Sequence, residues 1–365
     1  RECEAVRRKT NLIGMTREDL QKLVLEYGWE PYRSQQLYSY IYNQNQPDFE
    51  QLTTFSKSSL SLLSSSHSLD TGLLLKDESS LDGTRKFLFS YGLHAVESVF
   101  IPDVSRGTLC VSSQVGCTLD CGFCRTGKQP ITRNLKAGEI VGQLLSARRL
   151  MLDRPSQHKR LISNVVFMGQ GEPLYNYREV SKAIGFITDG DGIAIGRRKI
   201  VVSTVGVVPA MEKLFKDWPQ VQLAISLHAP TDEMRSAIMP AANGRWPLSE
   251  VMAACAKKKG RDRITFEYVL LKGINDSPLE AAAVVELVGR IPSIVNLIPY
   301  NPIEGGQYET STNNAIHRFA SILEDANIPA PIRWPRGRDI NAACGQLSTQ
   351  HHVAANPTMA VSSPV

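Results

Sequence analysis

Three cysteines fall within the eight-residue stretch CTLDCGFC, as Cys117, Cys121 and Cys124. The spacing C-x3-C-x2-C gathers soft thiolates tightly enough to hold a metal centre. A structural zinc site is closed by four ligands, and Cys110 could complete such a set. Cys110, however, lies in TLCVSSQV, an apolar and β-branched run that reads as a strand, whereas the triplet falls in the loop after it. The second reading is an iron–sulfur cluster, which thiolates bind well. A [4Fe-4S] cubane held by three protein thiolates keeps one iron open. S-adenosylmethionine can chelate that iron through its amino and carboxylate groups, and electron transfer to the sulfonium then releases a 5′-deoxyadenosyl radical. The cofactor carries the hard chemistry and the protein supplies orientation and exclusion. Placement of the triplet at the end of the first strand of a βα array favours the cluster over zinc.

The elements that must position these thiols follow from the rest of the chain. With 365 residues, 42% hydrophobic and 21% charged, it has room for one large α/β domain and a smaller companion. A net charge of +5 permits a nucleic-acid partner without requiring one. The seven cysteines are odd in number and four of them crowd into residues 110–124, which argues against a secreted disulfide framework. No apolar run approaches the ~18 residues of a membrane span. The chain opens on Arg1 rather than Met, as a fragment or a processed form would.

Residues 1–70 read as a small helical accessory domain. Thr16 and Asp19 have capping-box spacing, and Leu20, Leu23, Val24 and Tyr27 form an apolar stripe that ends at Gly28. A second short helix carries Leu37, Tyr38, Ile41 and Tyr42, while the Ser-rich stretch 55–69 fits no single pattern. Residues 71–105 form a β-hairpin extension, with RKFLFSY and HAVESVFI flanking a Gly-Leu turn. Glu97 shares a face there with Ala95, Val99 and Ile101, as a functional acid or as an ordinary edge-strand charge. From residue 106 to 348, six runs (TLCVSSQV, NVVFMGQG, KIVVSTVG, VQLAISLH, RITFEYVLL and IVNLIPYN) alternate with helical patterns. This predicts an α/β fold of parallel βα units with right-handed crossovers, too few to close an eight-fold barrel. A last short strand, APIRWP, is expected before RGRDINAACGQL, and 349–365 reads as a disordered tail. In such architectures chemistry gathers where strands end. The triplet, GQGEP, Ser203, SLH and YNP all fall at such ends.

The stretch CVSSQVGCTLDCGFCRTGKQPITRNL resembles the signature of the radical-SAM adenine methyltransferases of the RlmN family. GQGEPLYN, VVSTVGVVPAM, LAISLHAPTDEMR, NLIPYNP and RGRDINAACGQL match further motifs of that family in the same order, across roughly residues 90–348. The resemblance implies a partial (β/α)6 radical-SAM barrel. It also implies methylation of carbon 2 of an adenine in 23S rRNA and in tRNA. Cys117, Cys121 and Cys124 would bind the [4Fe-4S] cluster. Gly171 and Glu172 would meet the methionine end of S-adenosylmethionine, where a glycine admits close backbone approach and a carboxylate accepts from an ammonium. Ser203, Ser226, Leu227, His228 and Asn301 would line the rest of that pocket. Cys344 would be the S-methylcysteine intermediate, Cys110 would resolve the protein–RNA adduct through a transient disulfide with Cys344, and Glu97 would be the proton acceptor. The sequence departs from the family at Gln170, often Met, and at Val205, often a small residue.

Arg197-Arg198-Lys199, Lys257-Lys258-Lys259 and the series Arg333, Arg336, Arg338 are candidates for phosphate contacts, with Arg336 and Arg338 flanking the carrier loop. A target base inside folded RNA must be extruded to reach a buried centre. The resemblance further implies an external electron donor of flavodoxin type, a monomer, no membrane partner, and a cytoplasmic setting (mitochondrial or plastid in a eukaryote). Two rivals are a sister-type enzyme acting on carbon 8 of the same rRNA adenine and a non-catalytic, zinc-stabilised RNA-binding protein.

Overall fold

A computed structural model describes residues 9–104, 106–152, 161–260 and 262–349. One nine-stranded sheet runs through it. Its strands are β1 (Leu73–Ser79), β2 (Arg85–Tyr91), β3 (His94–Pro102), β4 (Gly107–Cys110), β5 (Asn164–Phe167), β6 (Ile200–Thr204), β7 (Gln222–Ser226), β8 (Ile264–Leu270) and β9 (Ser293–Pro299). Their spatial order is β9-β8-β7-β6-β5-β4-β3-β2-β1. β4 to β9 pair with one another in parallel, whereas β1 to β3 and the β3–β4 joint are antiparallel. The six β-branched runs are therefore the six parallel strands, in an open, partial barrel extended by a hairpin-based ribbon.

The helices are α1 (Arg17–Glu26), α2 (Tyr32–Ser39), α3 (Lys57–Ser66), α4 (Ala137–Leu150), α5 (Tyr177–Thr188), α6 (Val208–Asp217), α7 (Asp232–Ile238), α8 (Pro240–Arg245), α9 (Leu248–Ala256), α10 (Pro278–Val288) and α11 (Asn313–Asp325). α4 to α10 cross between consecutive parallel strands, because parallel neighbours cannot be joined by a tight turn. α1 starts at the expected capping box, Thr16 with Asp19. The N-terminal helices dock on α4 and α5. Tyr42 stacks on Phe186 at 4.8 Å, and Arg17 lies 2.7 Å from Asp189. Among the described residues no helix is long and apolar enough to cross a membrane.

Several local features differ from the sequence pattern. β1 was not legible, because a bulge between Leu74 and Lys76 breaks its alternation. The Ser-rich stretch is a helix: Ser56 caps it, Leu63 is buried, and Ser64, Ser65 and Ser66 return hydrogen bonds to carbonyls of the previous turn. TLCVSSQV leaves the sheet at Cys110. APIRWP runs along β9 but keeps only the bridge Leu297–Ile332, since its prolines lack the donors a ladder needs. Of the expected tail, Thr349 is bonded to Gln129, and 350–365 lie outside the described residues.

Candidate active site

The cysteine loop leaves β4 and is fixed by its own backbone. Gly116 sits at φ +80°, and a Cβ there would meet the Pro130 carbonyl oxygen at 2.2 Å. Cys117 N donates to Gln129 O at 3.0 Å, Cys124 N to Cys121 O at 3.0 Å, and Gly122 N to Ile238 O at the end of α7 at 2.9 Å. Cys121 is buried, and Cys117 and Cys124 are half-buried. All three thiols line one cavity at the C-terminal ends of the strands. Burial pushes the Cys117 thiol up to about 11, and raises Cys121 and Cys124 in the same direction. A metal beside them would stabilise the thiolate forms against that desolvation. Among the described residues, no group of three His, Cys, Asp or Glu converges to hold a single metal ion. Three thiols around a shared space suit a polynuclear cluster, whose ligands attach to different irons.

The same cavity is walled by Gly171, Glu172, Ser203, Ser226, His228 and Asn301. Leu227 is not among them: its side chain is fully buried in the core, and its carbonyl accepts from Arg235. Gly171 has φ +92°, and a Cβ there would strike the Gln114 side chain at 2.4 Å. Glu172 Oε2 accepts from Val205 N and Oε1 from Leu174 N, both at 2.9 Å. Desolvation holds this carboxyl at about 7 despite those bonds. His228 Nδ1 accepts from Val269 N at 3.0 Å, so its ring is the neutral tautomer with Nε2–H available. Burial, then the charge of Arg235, lower it to about 3, so it works as a hydrogen-bond donor and not as an acid or base at neutral pH.

Cys344 is exposed, and it lines this cavity. Desolvation by the cavity wall, followed by the Glu267 carboxyl, pushes its thiol up to about 11. Its segment is tied down at several points. Asn301 Nδ2 donates to Cys344 O at 3.1 Å, Arg125 N to Gly345 O at 2.7 Å, and Thr126 Oγ1 to Leu347 O at 2.7 Å. Cys110 is outside the cavity, buried among Val99, Ala342 and Leu347 directly beneath that segment. Both thiols are free, so the expected Cys110–Cys344 disulfide is absent from this conformation. Glu97 lies on β3, inside the sheet rather than at its edge, which removes the edge-charge reading. It is buried, and it is likewise separated from the central cavity. Oε2 accepts from Ser348 N at 2.7 Å, and Oε1 lies 3.2 Å from Lys86 Nζ. Burial raises this carboxyl, while Lys86 and the Ser348 N–H pull it back down.

Two family models match the chain: "Radical SAM superfamily" over residues 111–284 and "Ribosomal RNA large subunit methyltransferase N-terminal domain" over residues 10–67. A dual-specificity RNA methyltransferase RlmN from Acidiphilium cryptum is 48% identical over 94% of this chain and 90% of that protein. One from Rhodospirillum rubrum is 47% identical over 92% and 80%. The chain belongs to the RlmN family. A crystal structure of a radical SAM methyltransferase from Sphaerobacter thermophilus superposes with a TM-score of 0.88 at 37% identity, covering 93% of this chain and 99% of that one. Membership of the RlmN family makes this a radical-SAM RNA methyltransferase that uses a [4Fe-4S] cluster and S-adenosylmethionine, and the three-thiol cavity fits both.

Within this RlmN-family fold, several residues matter that the sequence did not single out. Arg235 on α7 is fully buried and donates to Leu227 O, Ser226 O, Val205 O, Trp246 O and Asn243 Oδ1. It thereby ties together the strand ends that wall the cavity. Glu267 also lines the cavity, accepts from Asn296 Nδ2 at 2.8 Å, and is raised to about 7 by desolvation. Gln170, one of the departures, accepts from Glu97 N through Oε1. The basic candidates divide by location. Arg197–Lys199 and Lys257 to Lys259 precede β6 and β8, at the end of the barrel opposite the cysteine loop. Arg338, exposed, donates to Asn301 Oδ1 at 3.0 Å and to Tyr300 O at 3.1 Å. Arg333 likewise donates to Asn296 Oδ1 at 3.2 Å. Arg336 is exposed, eight residues before Cys344.

Proposed function

We propose that this protein methylates carbon 2 of adenine in 23S rRNA and in tRNA, with Cys344 as the methyl carrier. The observation that carries the reading is the disposition of five thiols. Cys117, Cys121, Cys124 and Cys344 face one cavity, while Cys110 waits under the segment that bears Cys344.

The chemistry explains the division of labour. Carbon 2 of adenine is electron-poor and a poor nucleophile, so it does not attack a sulfonium methyl directly. Cys117, Cys121 and Cys124 hold the cluster. Gly171 and Glu172 meet the methionine end of the bound cofactor, with Ser203, Ser226, His228 and Asn301 around the rest. When bound, the cluster and cofactor supply a 5′-deoxyadenosyl radical. Cys344 carries the methyl to the base, and Glu97 accepts the proton that carbon 2 loses. Cys110 then attacks the Cys344 sulfur: the S–S bond forms as the sulfur–methylene bond breaks, the electron pair left on the methylene takes a proton to complete the methyl group, and the freed RNA leaves a transient disulfide that an external thiol reduces. Because Glu97 and Cys110 lie just outside the cavity, the segment 342–348 shifts between carrying and release. Electrons come from an external donor of flavodoxin type, and the protein acts as a monomer in the cytosol, where its RNA substrates reside.

The test is Cys110→Ala. The variant keeps its iron and the methylation of Cys344, but purifies with RNA covalently attached, seen as nuclease-sensitive mass and raised absorbance at 260 nm. Adding Cys344→Ala removes that RNA. Normal turnover without trapped RNA would place the resolving step elsewhere, and loss of iron in Cys110→Ala would return Cys110 to the metal set.

A further inference from the structure

A second, polar cavity lies beside the central one, under the carrier segment. Its walls include Glu78, Lys86, Glu97, Arg125, Asp339 and Ser348. Two of these charged side chains are nearly fully enclosed, Lys86 at 8% and Glu97 at 6% exposure. Lys86 Nζ stands 3.2 Å from Glu97 Oε1 and 3.3 Å from Glu78 Oε2. Glu78 Oε1 in turn lies 2.8 Å from Lys76 Nζ, whose side chain is 57% exposed. The ribbon's register builds this line. Glu78 is directly opposite Lys86 across β1 and β2, while Glu97 is opposite Leu88 and so diagonal to Lys86 across β2 and β3. Four charged groups thus run from the interior of the sheet to its solvent edge.

A single carboxylate would compensate a buried ammonium. Lys86 has two, one deep and one near solvent, within hydrogen-bonding reach of the same nitrogen. That is the arrangement of a conductor rather than of a static pair. We propose that Lys86 and Glu78 form a proton-exit relay that returns Glu97 to its carboxylate after each turnover. The proposal rests on the reading of Glu97 as the proton acceptor.

The step balances. The proton on Glu97 passes to Lys86 Nζ as one ammonium proton of Lys86 passes to Glu78 Oε2. Glu97 is then a carboxylate again, Lys86 remains an ammonium, and Glu78 is a neutral acid. Glu78, with a side chain 26% exposed, delivers the proton to water. No electron moves, and only N–H and O–H bonds change. Burial raises the proton affinity of Glu97, and the Lys86 ammonium at 3.2 Å gives its proton a path outward. The other charged groups facing this cavity, Arg125 from the cysteine loop and Asp339 from the C-terminal segment, are engaged elsewhere, with Glu304 and with Ser80.

The test compares single-turnover with steady-state methylation of a 23S rRNA fragment in iron-replete protein. Glu78→Gln is expected to keep the single-turnover rate within about threefold of wild type and to lower the steady-state rate at least tenfold; Lys86→Met, which also removes the cation that holds the Glu97 carboxylate, lowers both. Added small amines should restore the steady-state rate of Lys86→Met, which a purely structural loss would not allow. Lys86→Arg should retain most of both rates. Glu97→Gln should abolish the single turnover itself; if it does not, the reading of Glu97 falls, whatever Lys86 does. If Glu97→Gln is inactive but Glu78→Gln leaves both rates unchanged, or lowers them together, the relay is wrong. Should Lys86→Met fail to fold, Glu78→Gln, altered at a partly exposed site, decides alone.

Discussion

Replacing Arg235 with Met removes five N–H donors from five acceptors, all of them neutral: the carbonyls of Val205, Ser226, Leu227 and Trp246, and the Asn243 side chain. A buried acceptor left without a partner costs about 1–3 kcal/mol. Against this, the variant no longer buries a cation, which returns several kcal/mol. Burial lowers the Arg235 guanidinium to about 10, which shows how poorly its charge is solvated. With the five acceptors at the low end of that range the net loss is about 3 kcal/mol, and at about 1.3 °C per kcal/mol for a 365-residue chain the apoprotein should melt roughly 4 °C lower. A lysine at this position would keep the charge and three donors, so Arg235→Lys should lose about half as much. Because Val205 and Ser226 wall the cavity, the affinity for S-adenosylmethionine should fall in both variants, more in Arg235→Met. Circular dichroism melts of apoprotein, with cofactor binding measured on the loaded protein, check both. A melting temperature of Arg235→Met within about 1 °C of wild type together with unchanged cofactor affinity would refute the assignment of Arg235 as the hub of the cavity wall.

Further outcomes follow from the same geometry. Cys117→Ala, Cys121→Ala or Cys124→Ala should each abolish iron binding and cofactor cleavage, read by iron assay and 5′-deoxyadenosine production. Cys344→Ala should keep the iron and still cleave the cofactor slowly, with no methyl on the protein by peptide mass spectrometry. Glu267 is held at about 7 against an ordinary 4.5. The native state therefore binds a proton that the unfolded chain releases, and the stability this contributes is present below the ordinary value and lost as pH rises through about 7. Glu267→Gln, which keeps an acceptor for Asn296, should flatten the fall in apoprotein melting temperature between those values. An unchanged slope would show that Glu267 does not take up that proton on folding.

Much of this fold was legible because each parallel strand is a compact β-branched run and each crossover helix carries a clean apolar period. The cysteine triplet, Gly171 and Glu172 stood out because their residue types and spacing have few other uses. Other parts were hidden for physical reasons. β1 carries a bulge that scrambles alternation, and α3 spends its serines on its own carbonyls. Arg235 sits in DEMR, where a charge on an amphipathic helix reads as solvated; nothing local reveals that its guanidinium is enclosed. Lys86 could have been found. The two-residue turn at Gly92 and Leu93 fixes the hairpin register, and that register puts Lys86 on the face of Glu97. Leu227 was carried along by its neighbours Ser226 and His228, although strand alternation turns its side chain into the core. The position of the basic runs before β6 and β8 was also legible from topology alone, since residues that precede parallel strands lie at the far end from residues that follow them.

The central claim is that Cys344 carries a methyl from the cofactor to carbon 2 of an adenine. The most direct test is mass mapping after incubation of the anaerobically loaded protein with methyl-labelled S-adenosylmethionine and a 23S rRNA fragment. Labelled 2-methyladenine in the RNA, with label recovered on the peptide containing Cys344, is the predicted result; label at carbon 8 or on the exocyclic amine, or its absence from Cys344 in protein that does methylate RNA, would contradict it.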